Sequence, residues 1–141
     1  MLRFVLALIV LVCAASFEVG NRLSWIGRTG RPLLAVTEIS SVDALDAATA
    51  SGVVVVDYST TWCGPCKIVA PKFVALSEMY VDVTFLKCVG DSSDEAKAVM
   101  KREGVRSVPA FHVWKDGKRV ESITGARMDE VEAAIKAAAV L

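Results

Sequence analysis

A run of four valines near the middle of the chain, from Val53 to Val56, leads directly into Asp57 and Tyr58. The run has no alternation of apolar and polar residues, which is typical of a strand whose two faces are both buried. Such a strand lies at the centre of a sheet that is covered by helices on both sides. The valine run therefore predicts an α/β fold with this strand at its centre.

Strand-like and helix-like patterns alternate on both sides of the valine run. Ser41 can cap a helix, Gly104 can end one, and Asp116-Gly117 is a hairpin turn signal. The predicted elements are strand 34–39, helix 42–50, strand 53–58, helix 64–80, strand 83–89, helix 93–102, strand 110–114, strand 118–124 and helix 128–139. In helix 64–80 the apolar residues at helical spacing are Ile68, Val69, Phe73, Leu76 and Met79. The order predicts a mixed sheet with helices on both faces, parallel in its early strands and closed by an antiparallel hairpin.

The composition is that of a globular protein and excludes several other classes. The chain has 141 residues, of which 54% are hydrophobic, and its 16 basic residues balance its 16 acidic residues. A disordered chain would be less hydrophobic, a collagen would contain about one-third glycine, and a nucleic-acid-binding protein would usually have a basic excess. The sequence therefore predicts one globular domain and no nucleic-acid partner.

The first 34 residues differ from the rest of the chain. The basic residue Arg3 is followed by an apolar stretch over residues 4–15. The last two residues of this stretch and Ser16 are small, as at a cleavage site. This layout predicts a secretory signal peptide over 1–16. The apolar stretch is shorter than the roughly 20 residues that cross a bilayer comfortably, although an uncleaved signal anchor and a buried N-terminal helix are alternatives. Residues 17–34 carry three arginines and one glutamate, which predicts a transit peptide or a linker.

The motif Trp62-Cys63-Gly64-Pro65-Cys66-Lys67 lies where the buried strand ends and helix 64–80 begins. Two cysteines three positions apart at a helix N-terminus can close a small disulfide ring. The unpaired amides of the opening turn and the helix dipole favour a thiolate at Cys63, which predicts that Cys63 is the nucleophile. Cys66 lies further into the helix, so we expect it to be the more buried sulfur and the resolving thiol.

A metal site is the alternative for this cysteine pair. A structural zinc ion needs four ligands, usually in closely spaced pairs. Beyond the leader, the remaining cysteine and histidine are Cys88 and His112, which lie more than twenty residues from the pair and from each other. The sequence therefore predicts no metal site. We expect His112 to be a packed or hydrogen-bonded structural residue, and Phe111 and Trp114 to lie in the core.

With this motif at a strand-to-helix junction, the chain resembles a thioredoxin over residues 35–141. The further residues in register with that family are Asp57, Pro71, Val108-Pro109 and Gly125. The resemblance implies the thioredoxin fold and a cis bond before Pro109, against the alternative of an ordinary trans proline at a strand start.

The resemblance also implies roles for individual residues. Asp57 is expected to be a buried carboxyl group that takes the proton of Cys66, with Lys87 as its partner. The alternatives are a carboxylate that only accepts hydrogen bonds and a solvated lysine. The residues expected to contact a bound substrate segment are Trp62, Gly64, Pro65, Val108, Pro109 and Gly125.

Four stretches resemble the plastid f-type more than other thioredoxins, namely 58–62, 70–73, 82–87 and 124–127. The f-type has an extra cysteine just after the third strand, where this chain has Gly90 and where Cys88 lies two positions earlier. A shift of two residues keeps the same strand face, so Cys88 is either an exposed regulatory thiol or a small buried apolar residue. An f-type protein would present a positive rim to acidic targets, formed by Lys67, Lys72, Arg106 and Arg127.

The resemblance implies a protein-disulfide reductase with no bound cofactor, acting in redox regulation of plastid enzymes. Its partners would be disulfide-containing target proteins and an upstream reductase that depends on ferredoxin or NADPH. The leader resembles bipartite plastid presequences of algae with secondary plastids, which predicts a plastid protein that is not membrane-bound once the leader is removed. The alternatives are a secreted or ER-lumenal disulfide exchanger, a membrane-anchored protein, and a non-enzymatic subunit with this fold.

Overall fold

The computed structural model describes residues 36–140 of the chain. The predicted signal peptide 1–16, the predicted transit peptide or linker 17–34 and the start of the predicted strand 34–39 lie outside the described residues. From residue 36 onward every predicted helix and strand is present, with boundaries within one residue of those predicted. The elements are β1 (Val36–Glu38), α1 (Val42–Thr49), β2 (Val53–Ser59), α2 (Gly64–Met79), β3 (Thr84–Val89), α3 (Asp94–Arg102), β4 (Ala110–Lys115), β5 (Lys118–Thr124) and α4 (Met128–Val140).

The five described strands form one mixed sheet in the order β1-β3-β2-β4-β5. β1, β3 and β2 are parallel, whereas β4 and β5 form the predicted antiparallel hairpin on the other side of β2. The hairpin turns at Asp116 and Gly117, whose φ angles of 47° and 80° fit the two-residue turn that matches the twist of paired strands. The strand β2 thus lies at the centre of the sheet, as the valine run predicts.

The valine run is apolar throughout because the two sides of β2 face two different cores. Val53 and Val55 belong to the core under α2 and α4. Val54, Val56 and Tyr58 belong to the core under α1 and α3. Alternate side chains of a strand point to opposite faces, so a central strand needs apolar residues at successive positions.

Serine side chains begin two of the helices, as expected from helix capping. Ser41 Oγ accepts a hydrogen bond from Ala44 N at 3.2 Å, and Ser93 Oγ accepts one from Ala96 N at 3.1 Å. Each bond satisfies an amide that has no partner within its helix. The functional helix α2 begins in the same way, with a sulfur atom in place of the hydroxyl.

Two of the five apolar side chains at helical spacing in α2 lie outside the core. Val69, Phe73 and Leu76 are buried, but Ile68 is 71% exposed and Met79 is 64% exposed. Both exposed residues are displaced by about 80–100° around the helix axis from the stripe of buried residues, which faces the sheet. Trp114 is half-buried against the core under α1 and α3, while Phe111 is fully buried, as predicted.

None of the helices within residues 36–140 has the length and apolar character that crossing a membrane requires.

Candidate functional site

Cys63 and Cys66 form a disulfide at the N-terminus of α2, with an S–S distance of 2.00 Å. The central strand β2 ends at Ser59, and a short loop then carries the chain into the first turn of α2. Cys63 N donates a hydrogen bond to Thr60 O at 3.2 Å, which closes this loop. Pro65 lies in the first helical turn, where its missing N–H removes no hydrogen bond of the helix.

Cys63 is the N-cap residue of α2. Its Sγ accepts a hydrogen bond from Cys66 N at 3.2 Å, in the manner of Ser41 and Ser93 in the two other capped helices. An amide that points at a sulfur atom favours the thiolate over the thiol, as does the positive end of the helix dipole. This geometry can activate Cys63 when the disulfide is reduced.

In this disulfide-bonded state Cys63 and Cys66 are both buried, so the expected difference in burial between them is not visible. Cys63 is 3% exposed and Cys66 is 5% exposed.

Asp57 is a buried carboxyl group that lines the same cavity as Cys66. Burial raises the pKa of Asp57 from 3.8 to about 6, and the positive charge of Lys87 opposes that rise. Lys87 lies directly opposite Asp57 in the pairing of β2 with β3 and lines the cavity as well. Within residues 36–140 there is no direct ion pair between them, so Lys87 acts on Asp57 through space.

The residues expected to contact a substrate lie on three short stretches, at the start of α2, before β4 and after β5. The Val108–Pro109 peptide bond is cis, as predicted, and Pro109 is buried. Gly125, whose φ is 94°, donates its N–H to Pro109 O at 2.8 Å, so these two expected contact residues are tied together. On the loop before α2, Trp62 is 74% exposed, which fits a contact role better than a core role.

Comparison with known proteins agrees with this arrangement. The family model described as thioredoxin matches residues 37–137. The chain belongs to the thioredoxin family. Over 105 residues it is 45% identical to the F-type chloroplastic thioredoxin of Brassica napus, covering 73% of this chain and 57% of that relative. The predicted resemblance to plastid f-type thioredoxins is thereby confirmed.

Solved structures of thioredoxins have the same fold. Spinach chloroplast thioredoxin f in its short form matches with a TM-score of 0.66 and 42% identity, over 73% of this chain and 92% of that one. A chain in the crystal structure of a complex of ferredoxin:thioredoxin reductase with thioredoxin f2 matches with a TM-score of 0.66 and 41% identity, over 73% and 94%. The match spans only 56–58% of the length of the first curated relatives, which are longer than this chain.

Cys88 is fully buried, so the exposed regulatory thiol that its strand position allows is not present. It packs among residues of the core under α1 and α3, and burial raises the pKa of its thiol to about 11. At Gly90, the position of the extra f-type cysteine, a Cβ would lie 1.7 Å from Met100 Sδ, so a side chain there would require the Met100 side chain to move. This thioredoxin therefore lacks an accessible thiol at either position.

His112 is a buried structural residue on the opposite face of the sheet from Asp57. It pairs with Val56, and its ring packs edge-on against Tyr58 with centroids 4.7 Å apart. Burial lowers the pKa of His112 to about 4, so the ring is neutral at physiological pH. Within residues 36–140, no group of three or more Cys, His, Asp or Glu side chains is arranged to hold a metal ion.

Two features of the site were not predicted from the sequence. Asp91, just after β3, accepts hydrogen bonds from Thr61 N at 2.9 Å and from the Thr61 hydroxyl, and so fixes the residue before Trp62. Ser59 and Thr60 line the cavity beside Asp57. The alternation of a strand gives a signal for Ser59, because it is two positions from Asp57 and therefore on the same face.

Proposed function

We propose that this protein is a dithiol-disulfide oxidoreductase that reduces disulfides in target proteins. The observation that carries the proposal is the Cys63–Cys66 disulfide at the N-terminus of α2, with Cys63 Sγ accepting the Cys66 amide. Similarity to f-type thioredoxins supports the same activity.

In the reduced protein, the Cys63 thiolate attacks one sulfur of a target disulfide. The target S–S bond breaks, its second sulfur leaves as a thiolate, and a mixed disulfide joins Cys63 to the target. Asp57 then takes the proton of the Cys66 thiol. The Cys66 thiolate attacks Cys63 Sγ, forms the internal disulfide and releases the target with both of its sulfurs reduced. Two electrons have passed from the protein to the target.

The surface around the sulfur atoms supports binding of an extended target segment. In this proposal Trp62, Gly64 and Pro65 contact the segment from the helix side, and Val108, Pro109 and Gly125 contact it from the cis-proline loop. Gly125 and Pro109 are already joined by a backbone hydrogen bond, so that loop is held in a fixed position. We infer that Lys87 is a positioning residue that keeps Asp57 able to ionise.

Two substitutions test the mechanism. Cys63→Ser should abolish reduction of insulin disulfides, because no nucleophile remains. Cys66→Ser should accumulate a covalent complex with the target, because the mixed disulfide cannot be resolved. The matched control is Cys88→Ser, which removes a cysteine outside the site and should keep turnover. Insulin reduction by the Cys63→Ser protein would contradict the mechanism.

We propose that the electron donor is a ferredoxin-dependent thioredoxin reductase, with an NADPH-dependent reductase as the alternative. The similar f2 chain in a complex with ferredoxin:thioredoxin reductase supports this choice. Each purified reductase should be offered the oxidised protein, and only the ferredoxin-dependent enzyme should regenerate the dithiol efficiently. Equal reduction by the NADPH-dependent enzyme would contradict this assignment.

We further propose that the targets are plastid enzymes with acidic surfaces around their disulfides. Lys67, Lys72, Arg106 and Arg127 are all exposed. The double variant Arg106→Glu with Arg127→Glu should slow reduction of such enzymes and leave reduction of a small disulfide unchanged. The double variant Lys101→Glu with Lys118→Glu, at exposed positions on α3 and on the β4–β5 hairpin, makes the same change of net charge and is the control. Equal losses on both substrates would contradict a role in target choice.

The proposed address is a signal peptide over 1–16 followed by a transit peptide over 17–34, which leaves the thioredoxin domain 35–141 in the plastid. Similarity to chloroplastic thioredoxins supports the plastid as destination. A fusion of residues 1–35 to a fluorescent protein should enter plastids, whereas residues 1–16 alone should direct secretion. Retention of the long fusion in the ER or in a membrane would favour the secretory exchanger or the anchored form.

A non-enzymatic role is separated from these proposals by complementation. The double variant Cys63→Ser with Cys66→Ser should fail to replace the wild-type protein in cells that lack it. Full rescue by that variant would mean that the fold, rather than the dithiol, performs the function.

A further inference from the structure

A cavity of about 190 Å³ lies beside the disulfide, on the side of Asp57. Its walls run from Asp57 and Ser59, which are buried, to Thr61 and Lys67, which are exposed, so it joins the interior to the surface. Cys66 lines it too. A water molecule takes up about 30 Å³ in the liquid, so the cavity has room for several.

Three residues that line this cavity each carry a buried side-chain oxygen with no hydrogen-bond partner among residues 36–140. These oxygens are Asp57 Oδ1, Ser59 Oγ and Thr60 Oγ1. Buried polar atoms are costly unless they are satisfied, and ordered water commonly satisfies them where the site is polar and roomy. The hydroxyl of the next residue, Thr61, is already bonded to Asp91.

The other unpaired buried polar atoms of the described chain are Tyr58 Oη and Trp114 Nε1, and neither residue lines this cavity. The concentration of three such atoms around Asp57 is therefore a property of the site. Lys67 and Lys87 also line the cavity, but an ammonium group only donates hydrogen bonds. The two hydroxyls both donate and accept, which is what anchoring water between a carboxylate and its surroundings requires.

We propose that Ser59 and Thr60 hold water in this cavity, and that this water donates hydrogen bonds to the Asp57 carboxylate and keeps it ready to accept the Cys66 proton. The inference rests on the proposed function, in which Asp57 is the proton acceptor. Ser59 and Thr60 are positioning residues in this scheme, since they act on the reaction through water and Asp57. The proton leaves the Cys66 thiol, reaches an Asp57 oxygen, and the Cys66 electron pair forms the new bond to Cys63 Sγ.

The test follows the resolving step alone. A chromophoric aryl thiol is attached to Cys63 as a mixed disulfide, and its release reports the attack by Cys66 at each pH. The Ser59→Ala and Thr60→Val variants lose the groups that hold this water, so the carboxylate form of Asp57 loses hydrogen bonds from water and the midpoint of the pH profile should rise by about one pH unit. Near pH 6 this lowers the rate about fivefold, while the plateau at high pH stays at the wild-type value.

Matched variants separate this effect from a general loss of packing. Thr60→Ser restores a hydroxyl and should return the midpoint to the wild-type value. Ser77→Ala removes a buried hydroxyl that donates to Val74 O at 2.6 Å outside the cavity, and it should leave the profile unchanged. A lowered plateau with an unshifted midpoint would mean that the hydroxyls serve only packing.

A second measurement does not depend on activity. In the oxidised protein labelled with ¹³C, the Asp57 carboxyl carbon should titrate about one pH unit higher in Ser59→Ala and Thr60→Val than in the wild type. Magnetisation transfer from water to the side chains of Ser59 and Thr60 should be seen in the wild-type protein. If Thr60→Val does not fold, Ser59→Ala and the wild-type water contacts decide the question.

Asp57→Asn makes the two possible failures distinguishable. If that variant keeps the wild-type pH profile, Asp57 is not the proton acceptor and the proposed function is wrong at that step. If Asp57→Asn loses the profile while both hydroxyl variants keep the wild-type midpoint and the wild-type ¹³C titration, only the water proposal is overturned.

Discussion

Asp57 and His112 are both buried titratable residues on neighbouring strands, but they face opposite sides of the sheet. Asp57 lies opposite Phe111 in the pairing of β2 with β4, and His112 lies opposite Val56. Burial shifts the pKa of each group toward its neutral form, to about 6 for Asp57 and to about 4 for His112. The same physical cause therefore moves Asp57 toward neutral pH and moves His112 away from it.

The surroundings of Asp57 and His112 also differ, and they make Asp57 still better suited than His112 to exchange protons. Asp57 lines a cavity with a cysteine of the disulfide, and one of its oxygens has no partner among residues 36–140. His112 is packed against Tyr58, and its Nδ1 lies 3.5 Å from Arg119 Nη1 and 3.8 Å from Glu103 Oε2. A group that exchanges protons during turnover needs both a pKa near the working pH and access to water or substrate. Asp57 meets both conditions, and His112 meets neither.

The largest effect should be on the resolving step. Asp57→Asn removes the proton acceptor, so attack by Cys66 on a Cys63 mixed disulfide should slow about a hundredfold at pH 7. His112→Asn is the matched control, because it replaces a buried titratable group on the other face and should resolve at the wild-type rate. Stopped-flow measurement of thiol release gives both rates. Similar rates for the two variants would break the distinction between these residues.

The next largest effect is on the pH dependence of the free energy of unfolding. For Asp57 this dependence has the opposite sign to that of a carboxylate in an ion pair. The folded pKa of about 6 lies above the unfolded value of 3.8, so the native state holds the proton more tightly. The contribution of Asp57 to stability is complete below pH 3.8 and is lost as the pH rises through 6. The loss is about 3 kcal/mol, at about 1.4 kcal/mol per pH unit.

Asp57→Asn should remove that loss. In urea denaturation of the oxidised proteins, the free energy of unfolding of the variant relative to the wild type should be about 3 kcal/mol higher at pH 8 than at pH 3.5. A constant difference between the two proteins across this range would mean that burial of Asp57 has no effect on its ionisation.

At His112 the pH dependence has the opposite sign. Its folded pKa of about 4 lies below the ordinary 6.5, so its contribution is complete above pH 6.5 and is lost as the pH falls through 4. The loss in the free energy of unfolding is about 3 kcal/mol, at about 1.4 kcal/mol per pH unit, and it is caused by burial and by the charge of Arg119. In His112→Asn, the free energy of unfolding should no longer fall in this way between pH 6.5 and pH 4, and its pH dependence above pH 6.5 should be unchanged. Urea denaturation between pH 4 and pH 7 measures this.

The sequence predicted the elements that have local causes. The valine run, the capping serines and the Cys63–Cys66 motif each act through backbone geometry within a few residues, so each could be recognised without the fold. The cis-proline loop was predicted only because the chain resembles a known family. Its hydrogen bond to Gly125 joins residues 16 positions apart, which no local pattern indicates.

Where the sequence left a placement open, the outcome depends on what lies across from a residue rather than on its own position. Cys88 keeps the face of the f-type cysteine but moves from the strand end to a point under α3, where Ala96 and Val99 cover it. Ile68 lies one residue before Val69 and therefore turns away from the sheet. The cavity beside Asp57 is formed by α2, β2 and β3 together, so its volume has no signature in any one segment.

The smallest effect should come from Lys87, whose charge acts on Asp57 without a direct ion pair. Lys87→Leu removes the charge that holds the pKa of Asp57 down, so this pKa should rise above about 6 and the pH profile of resolution should move upward with it. Because Asp57 is already mostly ionised at pH 7, the rate there should fall only about twofold. Lys101→Leu, on an exposed position of α3, is the control for loss of a lysine.

A fall of a hundredfold in Lys87→Leu, equal to that of Asp57→Asn, would show that Lys87 handles the proton directly. An unchanged ¹³C titration of Asp57 in this variant would show that the lysine is solvated and electrostatically separate. A modest upward shift of the Asp57 titration, with His112 unaffected, fits a site in which burial sets the direction of the pKa change and one lysine limits its size. The contrast between the two buried groups would then depend on their neighbours as much as on their burial.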